Sequence, residues 1–600
     1  MPDQILQPGS VLLLDALKAR GGLLFRHPER VITTAELDAV PQALEEMEQA
    51  REAGAHLAGF LAYELGFAFE DKLKARWRPD GEPLLWFGVY DAPQEISLDD
   101  ARDCLRRSAG PGEAHLGQPR FGMDRESYDA AFTRVQDHLA MGDIYQVNLT
   151  LRAALEHRGA PEALFLDLLR RQPVGHGAFL KLEDRAILSL SPELFLEREG
   201  RVLRTRPMKG TAGRGVDPAG DRRIARELAA DPKQRAENIM IVDLMRNDLS
   251  RIAETGSVRV SELCTVERYK SLHQMTSTVE ADLGPEIRLP DIIARLFPCG
   301  SITGAPKLSA MQIAHDLETG PRGVYTGSIG HVAPTGDFRF NVAIRTLVLK
   351  PDGSGEVGTG SGVIFDSGAA PEYDECALKL KFMTEDLPKV GLIETMAFLP
   401  EDGYLLLDRH MARLTASADY FGYPCDEGAV RKALEDLAAT FKSPQRVRLE
   451  LTEDGDIDLT WTALQPVPND TVWDLALAGG TTRSSDRFLY HKTTNRAFYD
   501  DTRKRYAEAS GCHEVLFENE DGYLTEGSFT TLFVQKDERL LTPALRHGLL
   551  PGTLRAGLLE RGLAAEADLR RRDLEDAQTI YVGNSVRGLI RGRMVPAIGT

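Results

Sequence analysis

The stretch Arg204–Thr211 reads RTRPMKGT, and the rest of the chain can be interpreted outward from it. Pro207 fixes the backbone just before Lys209, and Gly210 lets a ligand approach the main chain closely. Apolar residues upstream of the stretch predict a strand–turn–strand that brings Lys209 to the end of a sheet. Two interpretations of this lysine remain open. It is either a solvated hairpin residue or, if it is buried among other cations, an amine of lowered pKa that acts as a nucleophile.

Composition limits the classes of protein to consider. The chain has 600 residues, 42% of them hydrophobic, which is enough for several cores and predicts two to four domains. Its net charge of -19 argues against a broad nucleic-acid or anionic-membrane surface. An acidic protein can still bind an acidic metabolite where its cations converge locally. We therefore expect a soluble enzyme with no nucleic-acid or membrane partner.

The first twenty residues and the cysteines indicate the compartment. The longest apolar run there, Val11–Leu14, is too short for a secretory segment or a membrane span. The six cysteines are scattered, with no C-x-x-C spacing, at positions 104, 264, 299, 376, 425 and 512. We expect reduced thiols in a cytoplasmic protein.

Helical and strand-like patterns alternate along the chain, which predicts a mixed α/β (α+β) fold. Asp231 followed by Pro232 is a helix start, with an N-cap acid and a proline at the first helical position. A helix over Pro371–Thr384 ends before a short connection at 386–390, so we predict domains at 1–388 and 389–600. Further elements are predicted as a helix at Leu405–Tyr420, a strand at Arg446–Leu451 and a hairpin within Glu514–Val534.

Three carboxylates on two predicted helices could hold a metal ion. Glu237 lies in the second turn of the helix that Pro232 opens, and Glu372 and Glu375 have the i, i+3 spacing of one helix face. Mg²⁺ prefers such oxygen ligands. The alternative is that each acid only complements the positive end of its helix.

Two glycine-rich stretches lack the known nucleotide-binding patterns. FPCGSITGAPK (297–307) is not a Walker A loop, and Gly358–Gly362 leads into a strand at Val363–Phe365 rather than into a helix. Both could present backbone N–H groups to carboxylates. Arg345, predicted inside an apolar strand, is either structurally paired or a carboxylate clamp.

Seven stretches occur in the order that is typical of the chorismate-utilising enzymes. They are GDIYQVNLT (142–150), SPELFL (191–196), RPMKGT (206–211), ENIMIVDLMRNDLSRI (237–252), CGSITGAPK (299–307), NVAIRTL (341–347) and GSGVIFDS (360–367). The chain resembles this family from about 120 to 388, with a weaker continuation to the N-terminus. The resemblance implies a chorismate-binding-type β-sandwich flanked by helices.

The residue at the centre of RPMKGT indicates the branch of the family. Anthranilate and isochorismate synthases resemble P-I-A-G-T there, whereas aminodeoxychorismate synthase component I resembles P-I-K-G-T. This chain has Lys209, with Met208 as a volume-conserving replacement for isoleucine. The resemblance therefore implies amination of chorismate to 4-amino-4-deoxychorismate.

The same resemblance implies roles for individual residues. Lys209 would attack C2 of the ring, and Glu193 would protonate the departing C4 hydroxyl. Ammonia would then add at C4 and expel the lysine. Glu237 and Glu375 would ligate Mg²⁺, with Glu372 assisting. The substrate-binding residues would be His273 beside the ring and, at its carboxylates, Arg345, Ser301, Gly360, Ser361 and Gly362.

The ammonia source is expected to lie on another chain. No cysteine stands in the G-x-C-x-G setting of a glutaminase nucleophile; Cys299 is the nearest and lacks the first glycine. A separate glutamine amidotransferase subunit is therefore implied, unless free ammonia suffices. LLLDA (12–16) replaces the LLES-type motif, so tryptophan inhibition is not expected.

After residue 390, three residues that are individually ordinary form a second resemblance. Lys492, Glu526 and Arg413 together resemble class IV pyridoxal-phosphate enzymes over 390 to about 590. This implies a two-subdomain fold-type IV domain with Lys492 as the Schiff-base lysine and Glu526 as the partner of the pyridinium nitrogen. Arg413 would bind the phosphate, helped by Gly552, Thr553, Leu554, Asn584 and Ser585. A homodimer through this domain is a further expectation.

The second half departs from its class at two places. It begins at GLIETMAF (391–398) without the usual opening strands, so its small subdomain is predicted to borrow a strand from the first half. TTLF (530–533) stands where N-L-F is common. Neither departure removes a predicted catalytic group.

Together the two halves predict one short pathway. Chorismate would be aminated by the first half, and the second would eliminate pyruvate to give 4-aminobenzoate for folate. The alternatives for the second half are a true class IV aminotransferase, of the D-amino or branched-chain type, and a non-catalytic regulatory domain. Exchange of amine with a 2-oxoacid would favour the aminotransferase.

Overall fold

The computed structural model describes residues 5–17, 21–270, 272–384 and 388–596. These divide into two compact units. The first unit is Met1–Gly213 with Ala225–Asp386, and the second is Arg214–Ile224 with Leu387–Thr600. The connection predicted at 386–390 lies partly outside the described residues, and the boundary at 388 stays a prediction.

The strands of the first unit number β1 to β21 in chain order. They are β1 (Ser10–Asp15), β2 (Gly21–Phe25), β3 (Arg30–Thr34), β4 (His56–Leu61), β5 (Leu85–Tyr90), β6 (Gln94–Ile96), β7 (His115–Leu116), β8 (Arg120–Phe121), β9 (Gln146–Arg158), β10 (His176–Lys181), β11 (Ala186–Ser191), β12 (Leu194–Glu199), β13 (Val202–Arg206), β14 (Met208–Gly213), β15 (Arg259–Arg268), β16 (Leu272–Asp282), β17 (Gly304–Ala305), β18 (Ser328–Val332), β19 (Phe338–Asn341), β20 (Thr346–Leu349) and β21 (Ser354–Val363).

The helices up to the connection number α1 to α10. They are α1 (Val40–Glu52), α2 (Asp71–Lys74), α3 (Leu98–Ala109), α4 (Arg125–Met141), α5 (Pro161–Arg171), α6 (Pro218–Ala230, which starts in the segment assigned to the second unit), α7 (Pro232–Ser250), α8 (Leu289–Leu296), α9 (Lys307–Leu317) and α10 (Ala369–Thr384). Short 3₁₀ helices lie at Leu37–Ala39, Tyr63–Phe69 and Gly300–Ile302.

Two large antiparallel sheets form the first unit. One has the order β17-β9-β21-β20-β11-β10-β1-β2-β6, with β7 and β8 also paired to β9. The other has the order β14-β16-β13-β12-β19-β18-β4-β5-β3, with β15 also paired to β16. The strand β14, which carries Lys209, thus lies at the end of its sheet, where the sequence predicted it.

Alternation along the strands explains why the two sheets pack face to face. On β1, Val11 joins a core cluster that contains residues of both sheets, such as Phe60 of β4, while Leu12 joins the cluster beneath α3 and α5. Successive residues of a strand point to opposite faces, so each sheet buries one face against the other sheet. Helices α1, α7 and α8 cover the outer face of the second sheet.

The second unit contains two smaller sheets. Its strands are β22 (Leu392–Leu399), β23 (Gly403–Tyr404), β24 (Gln445–Leu451), β25 (Ile457–Ala463), β26 (Val472–Thr482), β27 (Glu514–Asn519), β28 (Leu524–Gly527), β29 (Thr531–Lys536), β30 (Arg539–Pro543), β31 (Ala564–Ala567), β32 (Thr579–Asn584) and β33 (Gly588–Met594). Its helices are α11 (Leu407–Phe421), α12 (Glu427–Ala438), α13 (Ala497–Ser510), α14 (Thr553–Glu560) and α15 (Arg571–Glu575), with 3₁₀ helices at Arg487–Leu489 and Leu545–His547.

The strand order in the second unit corrects one prediction. The small sheet is β23-β22-β24-β25, and all four strands come from residues 392–463. No strand is borrowed from the first half among the described residues, because β24 and β25 supply the partners that β22 needs. The larger sheet has the order β28-β27-β26-β33-β32-β29-β30-β31.

Two further features of the described chain concern its cysteines and the length of its helices. All six cysteines are free thiols. None of the helices in the described part of the chain is long and apolar enough to cross a membrane.

Candidate active sites

Lys209 lies in β14 and is held there through its backbone. Asn238 of α7 donates from Nδ2 to the carbonyl oxygen of Lys209 at 3.1 Å and to that of Met275 at 3.4 Å. Gly210 has φ +100°, a conformation that favours glycine, and a Cβ there would lie 3.2 Å from that of Met275. The helix predicted from Asp231 therefore fixes the main chain of the strand that carries the lysine.

The electrostatic surroundings of Lys209 favour a free amine. Its side chain is partly exposed, and burial lowers its pKa from the ordinary lysine value. The nearby ammonium of Lys379 lowers the pKa further. Three carboxylates oppose this shift, namely those of Glu237, Glu375 and Glu372. The metal ligands predicted from the sequence thus all act on the predicted nucleophile.

Glu193, the predicted acid, lies close enough to Lys209 for the charge of the lysine to act on it. It lies between β11 and β12, is only 4% exposed, and has a pKa raised to about 7 by burial. Ser301 donates from Oγ to Glu193 Oε1 at 2.7 Å. This hydrogen bond and the charge of Lys209 both lower the pKa of Glu193 and so limit its rise. A carboxyl of this kind is protonated for part of the time at neutral pH and can give a proton to a leaving group.

The glycine-rich stretch corrects the predicted secondary structure. Gly360, Ser361 and Gly362 lie inside β21 rather than before a strand, and they pair with Thr150, Leu149 and Asn148 of β9. A Cβ at Gly362 would lie 2.6 Å from Lys209 Nζ. Glycine is needed there because the lysine side chain occupies the space, and no turn is required.

Arg345 is also placed differently from the prediction. The strand β19 ends at Asn341 and β20 begins at Thr346, so Arg345 lies between strands, with φ +51°. These two strands belong to different sheets, and residues 342–345 carry the chain from one to the other. His273 lies in β16, is 2% exposed and pairs in register with Ala212 of the strand that carries Lys209.

In the second unit, Lys492 has a strongly lowered pKa. Burial, Arg496 and Arg413 bring it to about 7, against the opposing charges of Glu394 and Glu526. A pocket lined by His491, Thr493, Arg496, Tyr499, Glu526 and Leu550 brings both sequence neighbours of Lys492 to one place. Lys492 can therefore be a free amine near neutral pH.

Glu526, at the end of β28, faces the same pocket. It is 8% exposed, and burial raises its pKa to about 7 although the charge of Arg496 opposes the rise. Tyr499 donates from Oη to Glu526 Oε1 at 3.1 Å. The carboxyl is thus held by two neutral donors, the hydroxyl of Tyr499 and the backbone of Leu550.

Arg413 lies beside the first residues of α14. Its Nη1 donates to the carbonyl oxygen of Pro551 at 3.1 Å, directly before Gly552. Gly552 is the N-cap residue of α14, and no side chain caps the helix. A Cβ at Gly552 would lie 2.7 Å from Thr531 Oγ1, so a larger residue would be crowded at this N-cap position. The groups that Gly552 can offer to a ligand are therefore those of its backbone. Free N–H groups at a helix start, next to a guanidinium, suit an anion.

The remaining predicted phosphate residues lie on the turn between β32 and β33. Asn584 Oδ1 accepts from the backbone N–H groups of Val586 and Arg587 at 3.1 Å each, so this side chain shapes the turn. Ser585 Oγ donates to the carbonyl oxygen of Thr395 at 3.5 Å. Both contacts are structural, and the predicted phosphate roles of these two residues are not tested by them.

Comparison with known families fits this division of the chain. Residues 9–385 match the family model for chorismate binding enzymes, and residues 391–595 match that for class IV amino-transferases. The first match spans more than half of the chain. The chain belongs to the chorismate-binding enzymes. The predicted fold class, an α/β chorismate-binding domain followed by a class IV domain, is confirmed.

Individual relatives show how far the similarity extends. Aminodeoxychorismate synthase component 1 of Escherichia coli strain K12 is 42% identical over 347 residues, which cover 55% of this chain and 76% of the relative. The crystal structure of anthranilate synthase component I from Streptococcus pneumoniae TIGR4 is 26% identical with a TM-score of 0.50, and covers 64% of this chain and 91% of that one. A putative amino-acid aminotransferase from Mesorhizobium loti is 40% identical, with a TM-score of 0.33, and covers 34% of this chain and all of that one.

The predicted Mg²⁺ ligands of this chorismate-binding enzyme do not form a ready metal site. Across residues 5–17, 21–270, 272–384 and 388–596, no three His, Cys, Asp or Glu side chains are grouped closely enough to hold a metal ion. Glu375 Oε1 is ion-paired with Lys379 Nζ at 2.7 Å. A metal bound by Glu237, Glu372 and Glu375 would have to displace that ammonium, and the site stays a prediction.

The class IV match implies pyridoxal 5′-phosphate, and the residues present fit it. An amine of lowered pKa, a buried carboxyl and a cationic anion cradle are the three features that this cofactor needs. Lys492, Glu526 and Arg413 supply them in the second unit of the enzyme.

Three polar residues of the chorismate-binding half were missed in the sequence. Gln146 is 1% exposed, and neither its Oε1 nor its Nε2 has a hydrogen-bond partner. Its Nε2 lies 3.2 Å from the position of a Cβ at Gly362, next to Lys209. Asn238 and Lys379 also act on Lys209. All three had a sequence signal: Gln146 and Asn238 lie in the stretches 142–150 and 237–252, and Lys379 stands four residues after Glu375 on one helix face.

Proposed function

We propose that this enzyme makes 4-aminobenzoate from chorismate in two steps. The first unit would convert chorismate to 4-amino-4-deoxychorismate, with ammonia from a separate glutamine amidotransferase subunit. The second would remove pyruvate from that product. The proposal rests mainly on one observation: Lys209, an amine of lowered pKa, acts electrostatically on Glu193, a buried carboxyl whose pKa is about 7.

In the first step, Lys209 forms a bond to C2 of the ring while the C4 hydroxyl leaves. Glu193 gives its proton to that hydroxyl, so water departs and no hydroxide has to form. Ammonia then bonds to C4, the bond from Lys209 to C2 breaks, and the lysine leaves as the free amine. Lys209 must start as the neutral amine, and Glu193 must start as the neutral acid. Burial favours the neutral form of both groups.

Ser301 would then act on the acid rather than on the substrate carboxylates. Its hydroxyl donates to Glu193 Oε1, and the backbone of Met208 also bonds this carboxyl. We retain Arg345 and the β21 segment Gly360–Gly362 as the proposed carboxylate contacts. Mg²⁺, bound by Glu237, Glu372 and Glu375, is proposed to neutralise a substrate carboxylate.

In the second step, bound pyridoxal phosphate would supply the electron sink for the elimination. Lys492 would remove the ring proton at C4, since its pKa of about 7 suits proton transfer near neutrality. Glu526 would hold the proton at the ring nitrogen of the cofactor, and Arg413 with the start of α14 would bind its phosphate. Loss of pyruvate then leaves an aromatic ring, which drives the step forward.

A single assay tests both halves. The purified chain is incubated with chorismate, Mg²⁺, an ammonium salt and pyridoxal phosphate, and 4-aminobenzoate and pyruvate are measured. We expect equal amounts of both, with glutamine inactive as nitrogen donor until an amidotransferase is added. Anthranilate as the product would overturn the first step. Accumulating 4-amino-4-deoxychorismate, with amine exchange on adding a 2-oxoacid, would replace the second step by transamination.

A further inference from the structure

Glu394 is a buried carboxylate of the second unit that the proposed chemistry does not use. It lies on β22 and is 1% exposed, and both of its oxygens are engaged. Arg413 donates from Nε to Oε1 at 2.8 Å and from Nη2 to Oε2 at 2.6 Å, and His410 Nδ1 lies 2.6 Å from Oε2. Burial favours the neutral acid, but these partners hold its pKa at about 2. The group is therefore a carboxylate at neutral pH.

The two partners of Glu394 stand on one face of α11. His410 and Arg413 have the i, i+3 spacing, so a single carboxylate on the neighbouring strand reaches both. The Arg413 contact has the two-point geometry that fixes the plane of a guanidinium. Glu394 thus fixes the orientation of both side chains.

The far ends of both side chains meet the start of α14. Arg413 Nη1 donates to the carbonyl oxygen of Pro551 at 3.1 Å, and His410 Nε2 lies 3.4 Å from Thr553 Oγ1. Thr553 is the first residue of α14, whose N-terminus has no side-chain cap. Three of the five guanidinium N–H groups of Arg413 are used in these contacts, and two remain for a ligand.

We propose that Glu394 is a positioning residue for the anion-binding corner of the second site. It holds Arg413 directly, and Thr553 through His410, in the arrangement that receives the phosphate of the cofactor. This inference rests on the proposed class IV function. It predicts that Glu394 affects binding of the phosphate and leaves binding of the rest of the cofactor unchanged.

The test compares two ligands that differ only in the phosphate. Cofactor-free full-length protein is titrated with pyridoxal phosphate and with pyridoxal, and binding is followed by absorbance. In Glu394→Gln, the amide N–H₂ would face an N–H donor of Arg413 in place of a carboxylate oxygen. We expect about 10- to 100-fold weaker binding of pyridoxal phosphate and unchanged binding of pyridoxal. Glu450→Gln is the matched control, since Glu450 is partly exposed beside Arg448, and should change neither.

The outcomes separate the inference from the function on which it rests. Equal weakening of both ligands, or no weakening of pyridoxal phosphate, would overturn the positioning role while the cofactor assignment stands. Failure of the unaltered protein to prefer pyridoxal phosphate over pyridoxal would overturn the proposed cofactor function, and the inference with it.

A second variant covers the case in which Glu394→Gln does not fold. His410→Gln leaves the pair between Glu394 and Arg413 in place and removes the imidazole that joins Glu394 to Thr553. We expect a smaller loss of affinity that is again confined to pyridoxal phosphate. A loss shared equally by pyridoxal, or no loss at all, would contradict the relay through His410.

Discussion

The two units each contain a lysine of lowered pKa near a buried glutamate whose pKa is about 7, but the balance of charge around the two lysines differs. Lys209 is surrounded mainly by carboxylates, with Lys379 as the opposing cation. Around Lys492 the charges are balanced, with the arginines Arg413 and Arg496 and the carboxylates Glu394 and Glu526. Burial is the largest cause of the lowered lysine pKa at both sites. The difference in surrounding charge is therefore expected to affect mainly which ligand binds. The excess of carboxylates at the first site is compatible with the proposed Mg²⁺, and the arginines at the second are compatible with the proposed phosphate.

The largest effect should come from removing the first lysine. Lys209→Ala is expected to reduce formation of 4-amino-4-deoxychorismate by on the order of 10³-fold or more, because the nucleophile is gone. Product analysis by chromatography checks this, including for anthranilate, which the alanine-bearing branch suggests through direct attack at C2. The control is conversion of added 4-amino-4-deoxychorismate, which should persist. Unchanged 4-aminobenzoate from chorismate would refute the role of Lys209.

Removing the second lysine should give the reverse pattern. Lys492→Ala is expected to abolish 4-aminobenzoate while 4-amino-4-deoxychorismate accumulates at the normal rate, since the proton at C4 of the ring has no acceptor. Pyruvate release and chorismate consumption, measured in one reaction, separate the two steps. If both steps failed together, the sites could not be treated as independent.

Protonation of Glu193 should determine how the rate of the first step depends on pH. Glu193 must be protonated, so the rate should fall as the pH rises through about 7. Glu193→Gln is expected to lower kcat by about 10²- to 10⁴-fold and to remove that basic limb. The measurement is kcat on either side of neutrality at constant free ammonia. A variant that kept the limb would assign it to another group.

A methyl group beside the first lysine should have an intermediate effect. In Gly362→Ala the new Cβ would meet Lys209 Nζ at 2.6 Å, so the amine must move. A displacement of this kind costs about 10²-fold in rate. The control is Gly213→Ala, because a Cβ at Gly213 meets no atom within 4 Å. Gly353→Ala would not serve, because Gly353 has a positive φ that an alanine rarely adopts. Equal rates for Gly362→Ala and Gly213→Ala would mean that Lys209 reacts from another position.

The smallest expected effect sharpens the acid assignment. Ser301→Ala removes the donor to Glu193 Oε1 and should raise the pKa of that carboxyl. A hydrogen bond of about 0.5–1.5 kcal/mol moves a pKa by up to about one unit. The basic limb should therefore shift to higher pH, with little change in the maximal rate. A shift to lower pH would contradict the direction of the bond.

Local signals predicted much of this fold, while contacts between distant elements escaped them. Asp231 caps α7 through Gln234 as its sequence suggested, and helix α10 ends at Thr384. Arg345 was predicted in a strand because its neighbours are apolar, yet apolar residues also line a crossover between sheets. The segment Gly360–Gly362 was predicted to precede a strand because glycine is rare in strands, and at Gly362 the reason for glycine is a lysine from another strand.

The candidate sites were predictable to the extent that they follow motifs. Resemblance indicated Lys209, Glu193, Lys492 and Glu526, and their pKa shifts agree with the chemistry proposed for them. Gln146 lies in one of the quoted stretches, GDIYQVNLT, but its alternating pattern there is that of an ordinary strand residue and indicates no role. Its importance depends on which side chains lie across from it.

The way in which β14 is held has a consequence for how such an enzyme can change its reaction. Asn238 bonds the carbonyl oxygen of Lys209, and Gln274 bonds that of Gly210 at 2.9 Å. Neither contact involves the lysine side chain, so the strand keeps its course whatever residue stands at this position. Under the role proposed for Lys209, a change of this one codon would alter the chemistry and keep both backbone contacts. New activities can arise here by short evolutionary steps.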